Sequence, residues 1–95
     1  MNVTWSRRFA DGLRREYRYL RSINPAAALD VQQRIIKAAE SLASFPDRGR
    51  PWRLRAAREL LVPGLPYVII YRVSRERVIV LALFHTSRDW PLKPN

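Results

Sequence analysis

A chain of 95 residues supports one hydrophobic core and is too short for two, so a single domain spanning residues 1–95 is expected. The absence of cysteine excludes disulfides, thiolate chemistry and cysteine-ligated zinc and fits a reducing compartment. Eighteen basic against eight acidic residues give a formal charge of +10, a field that draws the molecule toward polyanions or an acidic partner. All the basic residues are Arg except Lys37 and Lys93, and the planar guanidinium suits bidentate contacts with phosphate or carboxylate. No apolar run approaches the length of a membrane-spanning helix. Arg7 and Arg8 are followed by mixed charge rather than the apolar block of a signal peptide, so a cytoplasmic location is expected, with no membrane partner.

In chain order, residues 2–5 read as a brief strand and Ser6 as the N-cap of a helix. In that helix Ala10, Leu13, Tyr17 and Leu20 are spaced by three and four and form a stripe, with Arg7, Arg14, Arg15, Arg18 and Arg21 mostly off it. Asn24-Pro25 restarts a helix, Asn24 capping and Pro25 at the first helical position, where the missing N–H loses nothing. Ala28, Val31, Ile35, Ala38, Leu42 and Phe45 give this second helix a buried stripe that runs up to Pro46. Two helices joined by so short a turn pack as an antiparallel pair.

Residues 46–58 hold five arginines, one aspartate, two prolines and a glycine, the composition of an exposed cationic loop. Strands are expected at about 58–62, 67–73 and 77–85, joined by Pro63-Gly64-Leu65-Pro66 and Ser74-Arg75-Glu76 as antiparallel hairpins. The last strand is apolar on both faces and belongs inside the sheet. The order strand, helix, helix, strand, strand, strand predicts an α+β fold: a small antiparallel sheet with the helix pair on one face. Trp5 is expected to pack against the sheet, and Trp52 to be either a stacking residue or a lid on the loop.

That order, the Arg58-Glu59-Leu60 start of one strand, the paired Tyr67 and Tyr71 of the next, the His85-x-x-Arg88-Asp89-Trp90 close and the Pro46-x-x-Gly49-Arg50 loop together resemble the RelE/ParE superfamily of bacterial toxins over nearly the whole chain. The resemblance implies the toxin of a type II toxin–antitoxin operon, neutralised by a small cognate antitoxin with an acidic or flexible segment. RelE-like members are ribosome-dependent endoribonucleases that cut mRNA; ParE-like members inhibit DNA gyrase and lack the nuclease set. A homodimer and a hetero-oligomer with the antitoxin both stay open.

Cleavage of RNA by its own 2′-OH requires a proton acceptor, a proton donor and cations for the phosphate. Arg58, Arg72 and Arg88 are candidate cations, and His85, Glu59 and Tyr71 candidate acid–base groups. His85 leads because imidazole titrates near neutrality; a hydrogen-bonded structural role is its alternative. The chain has no lysine between residues 38 and 92 and no tyrosine after Tyr71, unlike RelE itself, and arginine with a pKa above about 12 is a poor proton shuttle. The stretch from Arg58 to Val73 and the close at Trp90 look more like ParE-like sequences. Under that reading Arg88, Asp89 and Trp90 form a target-binding edge, Trp90 as an aromatic anchor, helped by Arg50, Arg53 and Arg55 of the loop. A small basic nucleic-acid-binding module is the third reading. One histidine, no cysteine and no glycine-rich phosphate loop imply no metal or organic cofactor.

Overall fold

The computed structural model describes residues 1–53 and 56–89. Strand β1 (Asn2–Trp5) leads into helices α1 (Arg7–Ile23) and α2 (Pro25–Ser41), followed by strands β2 (Arg50–Pro51), β3 (Ala57–Leu61), β4 (Tyr67–Ser74) and β5 (Arg77–His85). The spatial order is β1-β5-β4-β3-β2. The three C-terminal strands pair antiparallel as expected, and β5 has neighbours on both sides. The sheet as a whole is mixed, because β1 joins β5 in parallel, with Asn2 opposite Arg77 and Trp5 opposite Val80. A two-residue strand inside the cationic loop extends the other edge: Arg50 pairs with Glu59 and Pro51 with Arg58. Among the described residues no helix is long and apolar enough to cross a membrane.

The caps are those the sequence advertises. Ser6 Oγ accepts from the Phe9 N–H at 3.1 Å and donates to the Leu81 carbonyl at 2.8 Å, while the Ser6 N–H donates to Val80 O at 2.9 Å. One residue therefore caps α1 and fixes it to β5. Asn24 ends α1 through its N–H to Leu20 O and caps α2 by accepting from the Ala27 N–H. The anchorage at Leu81 rotates α1 so that Phe9, Gly12 and Leu13 face the sheet, whereas Ala10, Tyr17 and Leu20 are only half-buried. In α2, Ala28, Ile35, Ala38 and Leu42 are buried and Val31 is half-buried. Phe45 is exposed because α2 stops at Ser41, short of Pro46.

Both helices cover one face. The core there joins Phe9, Leu13, Ile35 and Leu42 to Leu60, Ile69, Tyr71, Val78 and Val80. The register gives β4 alternate faces, with Tyr67, Ile69 and Tyr71 on the helical side, and a bulge that makes Leu81 an extra residue of β5 keeps both Val80 and Leu83 on that side as well. The opposite face carries a second cluster of Ala57, Val68, Ile70, Ala82 and Phe84, with Trp52 packed against it. Trp5 meets Phe9 edge-on at 5.2 Å and stays partly exposed.

Tyr71 connects this sheet to the cationic loop. Its side chain is fully buried, and its hydroxyl donates to Pro46 O at 2.7 Å and accepts from the Gly49 N–H at 2.8 Å. A Cβ on Gly49 would come within 2.7 Å of the Tyr71 ring and 2.6 Å of the Glu59 carbonyl, so only glycine lets the loop approach β3 and β4 this closely.

Two outcomes are expected. Tyr71→Phe leaves the Gly49 N–H and the Pro46 carbonyl without their shared partner, a loss of about 1–3 kcal/mol. The thermal midpoint, followed by circular dichroism, should drop by roughly 4–8 °C per kcal/mol; an unchanged midpoint would refute the anchoring role. Burial also pushes the Tyr71 phenol above its ordinary value. The folded chain then holds this proton more tightly than the unfolded chain, so the stabilisation is complete below about pH 10 and is lost as pH climbs through the folded-state value. Midpoints should fall with pH above about 10, and less steeply in Tyr71→Phe.

Candidate functional site

Two polar clusters contain the candidate residues. The first sits where β4 begins and β5 ends, against the middle of α1. Glu16 is its centre: its carboxylate accepts from the Tyr67 hydroxyl at 2.8 Å and, on the same oxygen, from the Arg88 guanidinium. Burial first, and the Glu16 hydrogen bond second, push the Tyr67 phenol well above its ordinary range. The Glu16 contact raises Arg88 likewise. The Arg88 guanidinium also lies 5.5 Å from the Tyr19 ring centre. His85 pairs with Tyr67 across the strands and presents its ring edge-to-face at 5.3 Å. Its Nδ1 accepts from the Ser87 N–H at 3.1 Å, and its backbone N–H donates to Asp89 Oδ2 at 3.0 Å. The turn after β5 is thus closed by its own residues and tied to α1 by Arg88.

The second cluster lies at the opposite edge, on β2, β3 and the loop before them. Arg58 donates to the Gly49 carbonyl at 2.7 Å and lies 3.6 Å from the Asp47 carboxylate. Arg50 pairs through Nε with Glu59 Oε1. The Glu59 side chain is buried, and its second oxygen, Oε2, has no hydrogen-bond partner. Arg53 stacks its guanidinium 5.5 Å from the Trp52 ring centre, placing Trp52 as a cover for the second apolar cluster with a cation over it. Arg72 is exposed and pairs with Ala57 on the face away from the helices. Arg55 and Trp90 lie outside the described residues.

The sheet register decides which candidates meet. Tyr67 and His85 are opposite each other on the helical face, and so are Arg58 and Tyr71, but Glu59 pairs with Ile70 on the other face. Arg58 and His85 sit two strands apart and are offset by four residues, about 13 Å along the strand direction. The structure therefore brings together His85, Arg88 and Asp89, and separately Arg50, Arg58 and Glu59. It does not bring the acid–base candidates His85 and Glu59 to one point. Among the described residues no group of three His, Asp or Glu side chains is arranged to hold a metal ion.

Sequence reasoning missed Glu16. The signal was available: Phe9, Gly12, Leu13 and Glu16 follow a three-and-four spacing, so an acid sits on the sheet-facing stripe of a helix whose other charges are nearly all arginines. An acid in that position requires a donor from the sheet, and Tyr67 and Arg88 supply two.

Comparison with known proteins agrees with this architecture. Residues 3–90 match the family of the ParE toxin of the type II toxin–antitoxin system parDE. The chain is 37% identical over 89 residues to toxin Y4kP of Sinorhizobium fredii, covering 94% of this chain and 92% of that one. It is 36% identical over 86 residues to toxin RelE2 of Caulobacter vibrioides, covering 90% and 96%. Among solved structures, the chromosomal ParDE TA system from P. aeruginosa superposes with a TM-score of 0.81 at 25% identity, over 90% of this chain and 95% of that one. A match to the family over residues 3–90, supported by relatives of the same length and the same fold, has one meaning: the chain belongs to the ParE toxin family of type II toxin–antitoxin systems.

Proposed function

We propose that this ParE-type toxin arrests growth by binding DNA gyrase, and that a cognate antitoxin with an acidic, weakly structured segment neutralises it. The observation that carries the target is the separation of the acid–base candidates. His85 and Glu59 lie on opposite faces of the sheet, and a single scissile phosphate cannot be within about 3 Å of both, the reach that proton transfer needs. Two of the three candidate cations are also engaged, Arg58 by the Gly49 carbonyl and Arg88 by Glu16. A binding function asks only that such groups be presented. Arg88 is nearly half exposed and Asp89 is exposed on the turn after β5, a suitable edge for a protein target, with Trp90 beside them in sequence as an aromatic anchor. The similarity to a protein named toxin RelE2 favours the ribosome and mRNA as the second reading, in which His85 with Tyr67 would have to work without Glu59.

Added to purified gyrase, the full chain is expected to abolish negative supercoiling and accumulate cleaved DNA. Intact supercoiling combined with arrested translation in a cell-free system would favour the mRNA nuclease instead. Arg88→Ala should raise the concentration needed for inhibition by about tenfold or more. Its melting midpoint should fall only modestly, because the half-buried Glu16 carboxylate keeps the Tyr67 hydroxyl as a donor when the guanidinium is removed. His85→Ala should inhibit as the unaltered chain does; loss of all activity in this variant, with its fold intact, would overturn the binding reading.

Neutralisation follows from the charge. A surface at +10 attracts a segment of opposite sign, which orders on binding. The affinity of toxin for antitoxin, measured by calorimetry at rising salt, is therefore expected to decline steadily. A salt-independent affinity would assign the complex to apolar contacts alone.

A further inference from the structure

The face of the sheet turned away from the helices carries a pocket that neither cluster's proposed role uses. Its volume is about 460 Å³, inside the range of small-molecule sites. Its apolar floor is formed by Leu61 and Val68, which are register partners on β3 and β4, and Leu61 is largely exposed there. Its rim carries Arg48 and Arg50. The Arg50 side chain is 78% exposed and holds Glu59 through Nε rather than through its terminal nitrogens. Arg48 is steadied by one nitrogen on Ser41 Oγ at 2.8 Å. The third component is Glu59 itself. Among the described residues its Oε2 is the only buried side-chain oxygen or nitrogen without a hydrogen-bond partner.

These three components specify a ligand. Two guanidiniums call for an anion, and phosphate matches their fork. A carboxylate oxygen lacking a donor calls for an N–H, and it rejects a carbonyl because two lone pairs would face each other. An exposed aliphatic floor suits a flat ring. We propose that the pocket binds a nucleotide bearing an exocyclic amino group, with its phosphate on Arg50 and Arg48, its base over Leu61 and Val68, and its amino group donating to Glu59 Oε2. Carboxylates accept from the cytosine N4 amino group in the same manner elsewhere, while thymine and uracil place a carbonyl at that position. Arg50 is the movable part: swinging its exposed head to the phosphate uncovers the carboxylate beneath. A free nucleotide and one unit of a single strand share this chemistry. The site is independent of whether gyrase is the toxin's target.

The test is fluorescence anisotropy of the full chain with labelled octamers of deoxycytidylate and deoxythymidylate, competed by CMP and by UMP. The unaltered chain should prefer the cytidylate octamer by about tenfold, the scale of one hydrogen bond to a charged acceptor. Full competition by CMP, with UMP weaker, would identify a free nucleotide as sufficient; competition by cytidylate octamer alone would identify a strand. Either supports the site. Glu59→Gln should remove the preference, because an amide donates as well as accepts. Arg50→Gln should weaken both octamers alike, keep their ratio and lower the salt dependence by about one phosphate contact. Equal affinity of the unaltered chain for the two octamers would overturn the proposal, as would a preference that survives Glu59→Gln, or displacement by poly-aspartate as effective as by cytidylate. The first of these readings needs no variant, so a poorly folding substitution cannot hide the result.

Discussion

The hydroxyl of Tyr71 is the constraint on which the working surface depends. It is held inside the core by a strand buried on both faces, and it reaches out to the loop that follows α2, donating to Pro46 and accepting from Gly49. That pair of hydrogen bonds fixes the backbone between Arg48 and Arg50 against β3 and so fixes where two cations emerge. Arg58, the register partner of Tyr71, then closes the same loop by donating to the Gly49 carbonyl. A loop with five arginines has every electrostatic reason to stand away from a cationic protein. One phenol, one glycine and one guanidinium bring it back.

Few acids serve this chain, and their placement is economical. Glu16 gathers Tyr67 and Arg88, Glu59 holds Arg50, and Asp47 faces Arg58. Each joins elements distant in sequence or steadies a loop, whereas Asp11 and Asp30 form only exposed pairs within one helix, worth little in water. The large excess of positive charge is therefore not spread at random over the surface. Part of it is held by carboxylates in fixed geometries, and much of the rest, such as Arg7, Arg15 and Arg18 on α1 and Arg72 on β4, is exposed.

What the sequence made legible follows from how local each signal is. The caps at Ser6 and Asn24, the stripe of α2 as far as Leu42 and the three C-terminal strands rest on residues a few positions apart, and all are present in the structure. The bulge at Leu81, which switches the face taken by alternate residues of β5, is not legible in that strand's apolar run. The failures are long-range. The parallel pairing of β1 with β5 depends on contacts across some seventy positions, and the rotation of α1 that buries Phe9 depends on Ser6 meeting Leu81. The strand at Arg50–Pro51 exists because Gly49 lets the chain close on β3, which no period of two residues foretells. For the candidate site, the spacing at the close of the chain keeps His85, Arg88 and Asp89 on one turn. It could not show that Glu59 faces the other way, because the face a strand residue takes is set by the register of its neighbours.

The pairing of β1 with β5 joins residues separated by 75 positions, Asn2 with Arg77. Until Arg77–His85 has left the ribosome, Asn2–Trp5 has no strand to lie beside and Ser6 lacks the carbonyl that seats α1. A nascent chain cut short before that point can form helices but cannot close its sheet. Closure of the sheet therefore waits for the synthesis of β5.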